Sequence, residues 1–177
     1  MEITTNEQAK ELIQKWLTEN HHQVSDVKDE NANFHIEIDY PQGTMKRQRL
    51  IQPKEYPSMV LILNGVSIAP EHLEKLKKMD SEEREAFYSE IRKELLFVES
   101  SYDINIDEEG VAKQVQFSYE FYFDALTKTQ LFRALLMNYR TLMYIVTKFN
   151  DKFGVPAMSA MPQQHQHEET SEQLARV

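Results

Sequence analysis

The stretch from Leu131 to Phe153 carries two apolar stripes at once, and this constrains the fold more than any other feature of the chain. Leu131, Leu135, Leu142, Val146, Phe149 and Phe153 form one stripe at helical spacing, and Phe132, Leu136, Tyr139 and Met143 form a second beside it. A helix lying on a protein surface needs a single apolar stripe about 100° wide. Two stripes require either a helix set deep in a core or one shared between its own sheet and a second chain. A chain of 177 residues has little mass with which to cover both sides. The expectation is therefore an interface through Leu131, Leu135, Tyr139, Leu142, Met143 and Val146, with a second copy or another polypeptide as partner. The alternative is a wide core face partly covered by the first helix.

Capping signals mark the helices. Thr5-x-x-Gln8 opens a segment with Ala9, Leu12, Ile13, Trp16 and Leu17 on one side, fading at Asn20. Pro70 stands where a first helical residue would, ahead of Leu73 and Leu76. Asp80-x-x-Glu83 precedes Phe87, Ile91 and Leu95, and Thr127-x-x-Gln130 opens the long last helix. In such boxes the short side chain accepts from the third amide and the longer one returns to the cap amide.

Period-two alternation marks the strands. Phe34, Ile36, Ile38 and Tyr40 oppose His35, Glu37 and Asp39, while Met59 to Leu63 is apolar on both sides, as in a central strand covered twice. Tyr102, Ile104 and Ile106 alternate with Asp103, Asn105 and Asp107. Val115, Phe117, Tyr119, Phe121 and Phe123 alternate with Gln114, Gln116, Ser118 and Glu120. Asp107 to Gly110 reads as the turn of a hairpin, with Gly110 in a left-handed position. Successive hairpins predict an antiparallel sheet of five to six strands with helices packed on it, in the order α-β-β-β-α-β-β-α, an α+β fold. One domain over residues 1–153 is expected, with a disordered tail over 154–177, where the periodicity stops and a Gln/His/Glu run begins.

Composition removes whole classes of chemistry. There is no cysteine, which excludes disulfides, thiolate nucleophiles and Cys-based metal sites. The net charge of -9 disfavours nucleic acid. The N-terminus lacks the basic and apolar regions of a signal peptide, and no apolar run is long enough for a membrane span. A soluble cytoplasmic protein is expected.

No motif assigns a catalytic residue, a cofactor or a metal. Asp103-x-Asn105-x-Asp107 has the opening spacing of a calcium loop, but Glu108 replaces the needed glycine and Gln114 the final carboxylate. A strand's polar side explains the pattern. The histidines, His21, His22, His35, His72, His165 and His167, match no zinc-ligand spacing. Gly43, Gly65, Gly110 and Gly154 are isolated, so no phosphate-cradling loop is present. Arg47 and Arg49 share one side of a strand, where Glu37 or Asp39 can pair with them. The aromatic group Tyr119, Phe121, Tyr122 and Phe123 beside acidic residues is the footing for an alternative, a small-molecule-binding or enzymatic domain.

The chain also resembles a known family. The Trp16-containing first helix, Phe34-His35-Ile36-Glu37-Ile38-Asp39-Tyr40-Pro41, Val60-Leu61-Ile62-Leu63-Asn64, and Phe117-Ser118-Tyr119-Glu120 leading into the Leu131–Phe153 helix carry the likeness. They are similar to an archaeal domain family of unknown function with the type III secretion chaperone-like fold, together with YbjN-type proteins. The resemblance implies helices and strands in a sandwich, commonly dimeric, with surfaces that hold extended partner segments. The reading is a non-catalytic protein-interaction or chaperone-like module acting as a homodimer.

Overall fold

The computed structural model describes residues 4–157 except residue 45. Most of the expected tail lies outside the described residues. The elements run α1 (Asn6–Glu19), β1 (Val24–Asp26), β2 (Ala32–Asp39), β3 (Arg47–Pro53), β4 (Met59–Ser67), α2 (Pro70–Lys78), α3 (Ser81–Leu95), β5 (Ser101–Ile106), β6 (Ala112–Tyr122) and α4 (Lys128–Phe153). This is the expected α+β order, with β1 added as a short strand and the middle helical position filled by the pair α2 and α3.

The helices start where capping chemistry puts them, with one informative difference. At α1 both arms of the box close: the Thr5 hydroxyl accepts from the Gln8 amide, and the Gln8 side chain returns to the Thr5 amide. At α3 and α4 the first arm forms, from Glu83 to Asp80 and from Gln130 to Thr127. The longer side chains go elsewhere: Glu83 pairs with Lys152 at 2.9 Å, and Gln130 donates to the Tyr119 hydroxyl at 2.9 Å. A tertiary partner has outcompeted the local bond.

The strands form one antiparallel sheet in the order β1-β2-β3-β4-β6-β5. Its register follows the apolar alternation, because a slip of one residue would turn every buried side chain to the wrong side. Leu50 opposes Ile62, Ile62 opposes Tyr119, and Phe117 opposes Tyr102, all toward the helices. Gly110, at φ +76°, closes the β5–β6 hairpin in the left-handed conformation expected of it.

All the helices among the described residues lie on one side of this sheet. α4 crosses β4 and β6, with α1 on one flank and α2 and α3 on the other. Two apolar clusters result. Ala9, Ile13 and Leu17 of α1 meet Leu131, Ala134 and Leu135 of α4 over β2 to β4. Phe87, Ile91 and Leu95 of α3 meet Leu142, Ile145 and Phe149 over the β6 end. The second side of β4, expected to be covered, is open: Leu61 and Leu63 are only half-buried while Val60 and Ile62 are fully buried. Past Phe153 the chain stays attached, since the Gly154 carbonyl meets His72 Nε2 at 2.7 Å and Pro156 is buried.

Candidate interaction surface

The inward stripe of α4 belongs to this chain's own core. Leu131 and Leu135 are fully buried, and Leu142 is 5% exposed. These three expected interface residues are therefore core residues, because the sheet and the flanking helices cover them. Ion pairs hold the flanks. Lys128 reaches Glu19 of α1 at 2.9 Å, and Lys148 reaches Glu90 and Glu94 of α3 at 2.6 and 2.8 Å. The hydrogen bond from Lys148 holds the Glu94 carboxyl below the usual range, and burial pushes the Tyr144 hydroxyl beside it up.

What remains of α4 is an outward ridge at three- and four-residue spacing: Arg133, Leu136, Arg140, Met143 and Thr147. Leu136 and Met143 are 36% and 37% exposed. Tyr139 and Val146, the other two expected interface residues, are half-buried along its margin. Tyr139 is braced edge-on by Tyr40 at 6.3 Å. The second apolar stripe is thus divided between a margin under its neighbours and a ridge facing out.

Beside this ridge runs a segment that periodicity did not single out. After α3, Leu96 and Phe97 are 72% and 90% exposed. The chain around them is tied to α4 at both ends, by Glu94 to Lys148 and by Glu99 to Arg133. Ser100 adds a bond to Asn138 Oδ1 at 3.3 Å. These ties lay the segment along the helix and keep Leu96 and Phe97 displayed next to it. The Arg133 guanidinium and the Tyr119 hydroxyl, 3.0 Å away, hold the Glu99 carboxyl below its usual range. Burial, reinforced by that carboxylate, pushes the Tyr119 hydroxyl up. A sequence signal existed: Leu95-Leu96-Phe97-Val98 is a run of four apolar residues at a helix end, and four consecutive residues cannot all face one side of a helix.

Between the two apolar clusters, α4 meets the sheet through a buried polar seam. Asn138 Nδ2 donates to the Ile62 carbonyl at 3.0 Å, and Gln48 Nε2 donates to the Leu135 carbonyl at 3.0 Å. Gln48 Oε1 and Asn64 Nδ2 are buried without a partner. The seam is built on carboxamides, which donate and accept without carrying charge. Their directional bonds set where α4 sits along β3 and β4.

The remaining polar groups serve local structure. His22 meets the Asp39 carbonyl at 3.2 Å and stacks on Tyr40, while His35 Nδ1 meets Asp29 at 3.1 Å. Arg47 pairs with Glu37 at 3.5 Å across the ladder, as the strand pattern suggested. Asp107 accepts from the Glu109 and Val111 amides and pairs with Lys113 at 2.8 Å. Asp103 and Asn105, its partners in the calcium-like spacing, are exposed on the strand. Among the described residues no three His, Asp or Glu side chains gather closely enough to hold a metal ion. Phe121 and Phe123 are buried in the core, Tyr119 joins the Glu99 network, and Tyr122 faces out. One open depression of about 260 Å³ is lined by Gln23, Ser25, Glu37, Ile38, Asp39 and Arg47. Among the described residues no helix is long and apolar enough to cross a membrane.

Comparison with known proteins agrees with this fold. The model of the family described as "Uncharacterized conserved protein (DUF2299)" matches residues 9–149. The crystal structure of an uncharacterized protein from Methanothermobacter thermautotrophicus is 28% identical with a TM-score of 0.77, over 82% of this chain and 99% of that one. YbjN from E. coli is 10% identical with a TM-score of 0.51, over 88% of this chain and 100% of that one, a likeness of fold alone. No curated protein matches the sequence.

Proposed function

This chain belongs to the uncharacterised conserved family DUF2299, and from that premise we propose that it is a non-catalytic, chaperone-like interaction module. It works as a pair of chains in the cytoplasm and docks an apolar polypeptide segment along the outward ridge of α4. The observation that carries this reading is the display of Leu96 and Phe97, 72% and 90% exposed, on a segment tied to α4 at both ends by Glu94 and Glu99. Isolated exposed apolar residues are common, but an apolar group held in place on a tethered segment suits a partner's side chains. Arg140, exposed within the ridge, would favour a segment carrying a carboxylate. The absence of cysteine suits a reducing compartment.

The test is affinity capture from native lysate with the wild-type chain and with Leu96→Ser/Phe97→Ser. Both side chains are exposed, so the variant is expected to unfold at the same denaturant concentration as wild type. A reproducible set of polypeptides retained by wild type and lost by the variant supports the reading. Equal retention by both, or none by either, overturns the docking site.

A further inference from the structure

The two edges of the sheet are built differently. β1 closes one edge with three residues, Val24 to Asp26, whereas β5 leaves six residues, Ser101 to Ile106, as the other edge. An edge strand presents unpaired amides and carbonyls, and proteins commonly protect long edges with lysine, proline, a bulge or a covering segment. β5 contains neither lysine nor proline, and its register irregularity comes only at its end, between Asn105 and Ile106. Among the described residues no element pairs with its outer side. Tyr102, Ile104 and Ile106, which point toward the helices, are each half-buried, and Ser101, Asp103 and Asn105 are exposed.

We propose that β5 pairs antiparallel with β5 of a second copy, joining two six-stranded sheets into one across a two-fold axis at Ile104. The inference rests on the reading of this protein as a pair of chains and gives that pair its interface. It is independent of the docking ridge.

Self-complementarity selects the second copy and its register. A two-fold axis perpendicular to the sheet keeps both sets of helices on one side, so opposed residues must come from the same side of the strand. Centring on Asp103 would set two carboxylates directly opposite each other, which is unfavourable. Centring on Asn105 would set Asp103 opposite Asp107, with the same fault. Centring on Ile104 sets Ile104 against Ile104 and Tyr102 against Ile106 on the helix side. On the other side it sets each Asp103 against an Asn105, a carboxylate that accepts facing an amide that donates. Every opposed position is then chemically matched, and the half-buried apolar row is continued by its own copy.

The chain has no cysteine, so a single introduced thiol reports contact cleanly. Ile104→Cys places the two thiols opposite each other on the axis, within disulfide reach of an antiparallel pair. Mild oxidation is expected to convert this variant to a covalent dimer, while Met143→Cys stays uncrosslinked. Asn105→Asp sets carboxylates opposite one another twice per dimer and is expected to raise the dimer dissociation constant roughly ten-fold at low salt, with partial recovery in high salt. Residue 105 is exposed, so its circular dichroism and unfolding midpoint should match wild type at concentrations where both are monomeric. A wild-type chain that stays monomeric by light scattering at several hundred micromolar overturns both the pairing and this interface. A wild-type dimer crosslinked through Met143→Cys but not Ile104→Cys, with Asn105→Asp unaffected, overturns the β5 edge alone. Loss of polypeptide capture with Ile104→Cys still crosslinking leaves this interface standing and removes only the docking ridge.

Discussion

The two sides of the sheet come from the same strands and meet different fates. Toward the helices, Ile36, Leu50, Ile62 and Val115 are at most 1% exposed. On the other side, His35, Glu37, Arg49, Ile51, Leu61, Leu63 and Gln116 are all half-buried. An antiparallel sheet can leave one side to solvent, because hairpin connections do not force helices onto both. The difference teaches that in this chain apolar character alone does not locate the core. Leu61 and Leu63 are as apolar as Ile62, and the helices decide which of them is buried.

Four substitutions and one change of conditions probe that contrast. Leu135→Ala on the covered side is expected to lower unfolding stability by about 2–5 kcal/mol, as loss of a buried leucine side chain leaves a cavity. Leu63→Ala on the open side should cost under about 1 kcal/mol in the same urea titration, because the site is already partly hydrated. Equal costs would remove the distinction between the two sides. Asn138→Ala is next. It strips the Ile62 carbonyl and the Ser100 hydroxyl of a buried partner, so a loss of about 1–3 kcal/mol is expected. A neutral result would show that the seam contributes nothing to seating α4.

Arg47→Ala, breaking an exposed pair with Glu37 on the open side, should change stability by less than about 0.5 kcal/mol. Acid is expected to act weakly at each of several sites. The carboxyls of Glu19, Asp29, Glu94, Glu99 and Asp107 are all held below their ordinary values in the folded chain. A carboxyl with a depressed folded pKa contributes stability above its unfolded pKa and loses it as pH falls through the folded one. The unfolding midpoint should therefore be flat from about pH 6 to 7 and decline from roughly pH 4 downward. Because salt screens the exposed Lys and Arg partners, 0.5 M salt should shrink the decline, where 0.5 M is on the order of five times the ionic strength giving a 10 Å Debye length. A decline unchanged by salt would move its cause from the charged partners to the backbone amides that Asp29 and Asp107 accept from.

Much of this architecture was legible before any coordinates. The alternations at Phe34–Tyr40 and Val115–Phe123 marked their inward residues, and Thr5, Asp80 and Thr127 marked three helix starts, because both are local geometry written in residue type. The candidate surface was legible only in part. Tyr139, Met143 and Val146 reached the ridge or its margin, whereas Leu131, Leu135 and Leu142 went inward. Spacing groups residues onto a stripe, but it cannot say which stripe a sheet will cover. Leu96 and Phe97 escaped because a helix end has no period to read. Gln48, Asn64 and Asn138 gave no signal of burial, since amides are usually surface residues and only packing places them in a seam.

The sequence by itself determined the element types, their order, the antiparallel sheet and the absence of thiol chemistry, because each follows from local spacing or from composition. Only the tertiary structure decided that, among the described residues, all the helices share one side, β4 is covered once, and β5 ends as an open edge. Those outcomes depend on which distant surfaces meet, and contact between residues far apart in the chain leaves no mark in the pattern of either one.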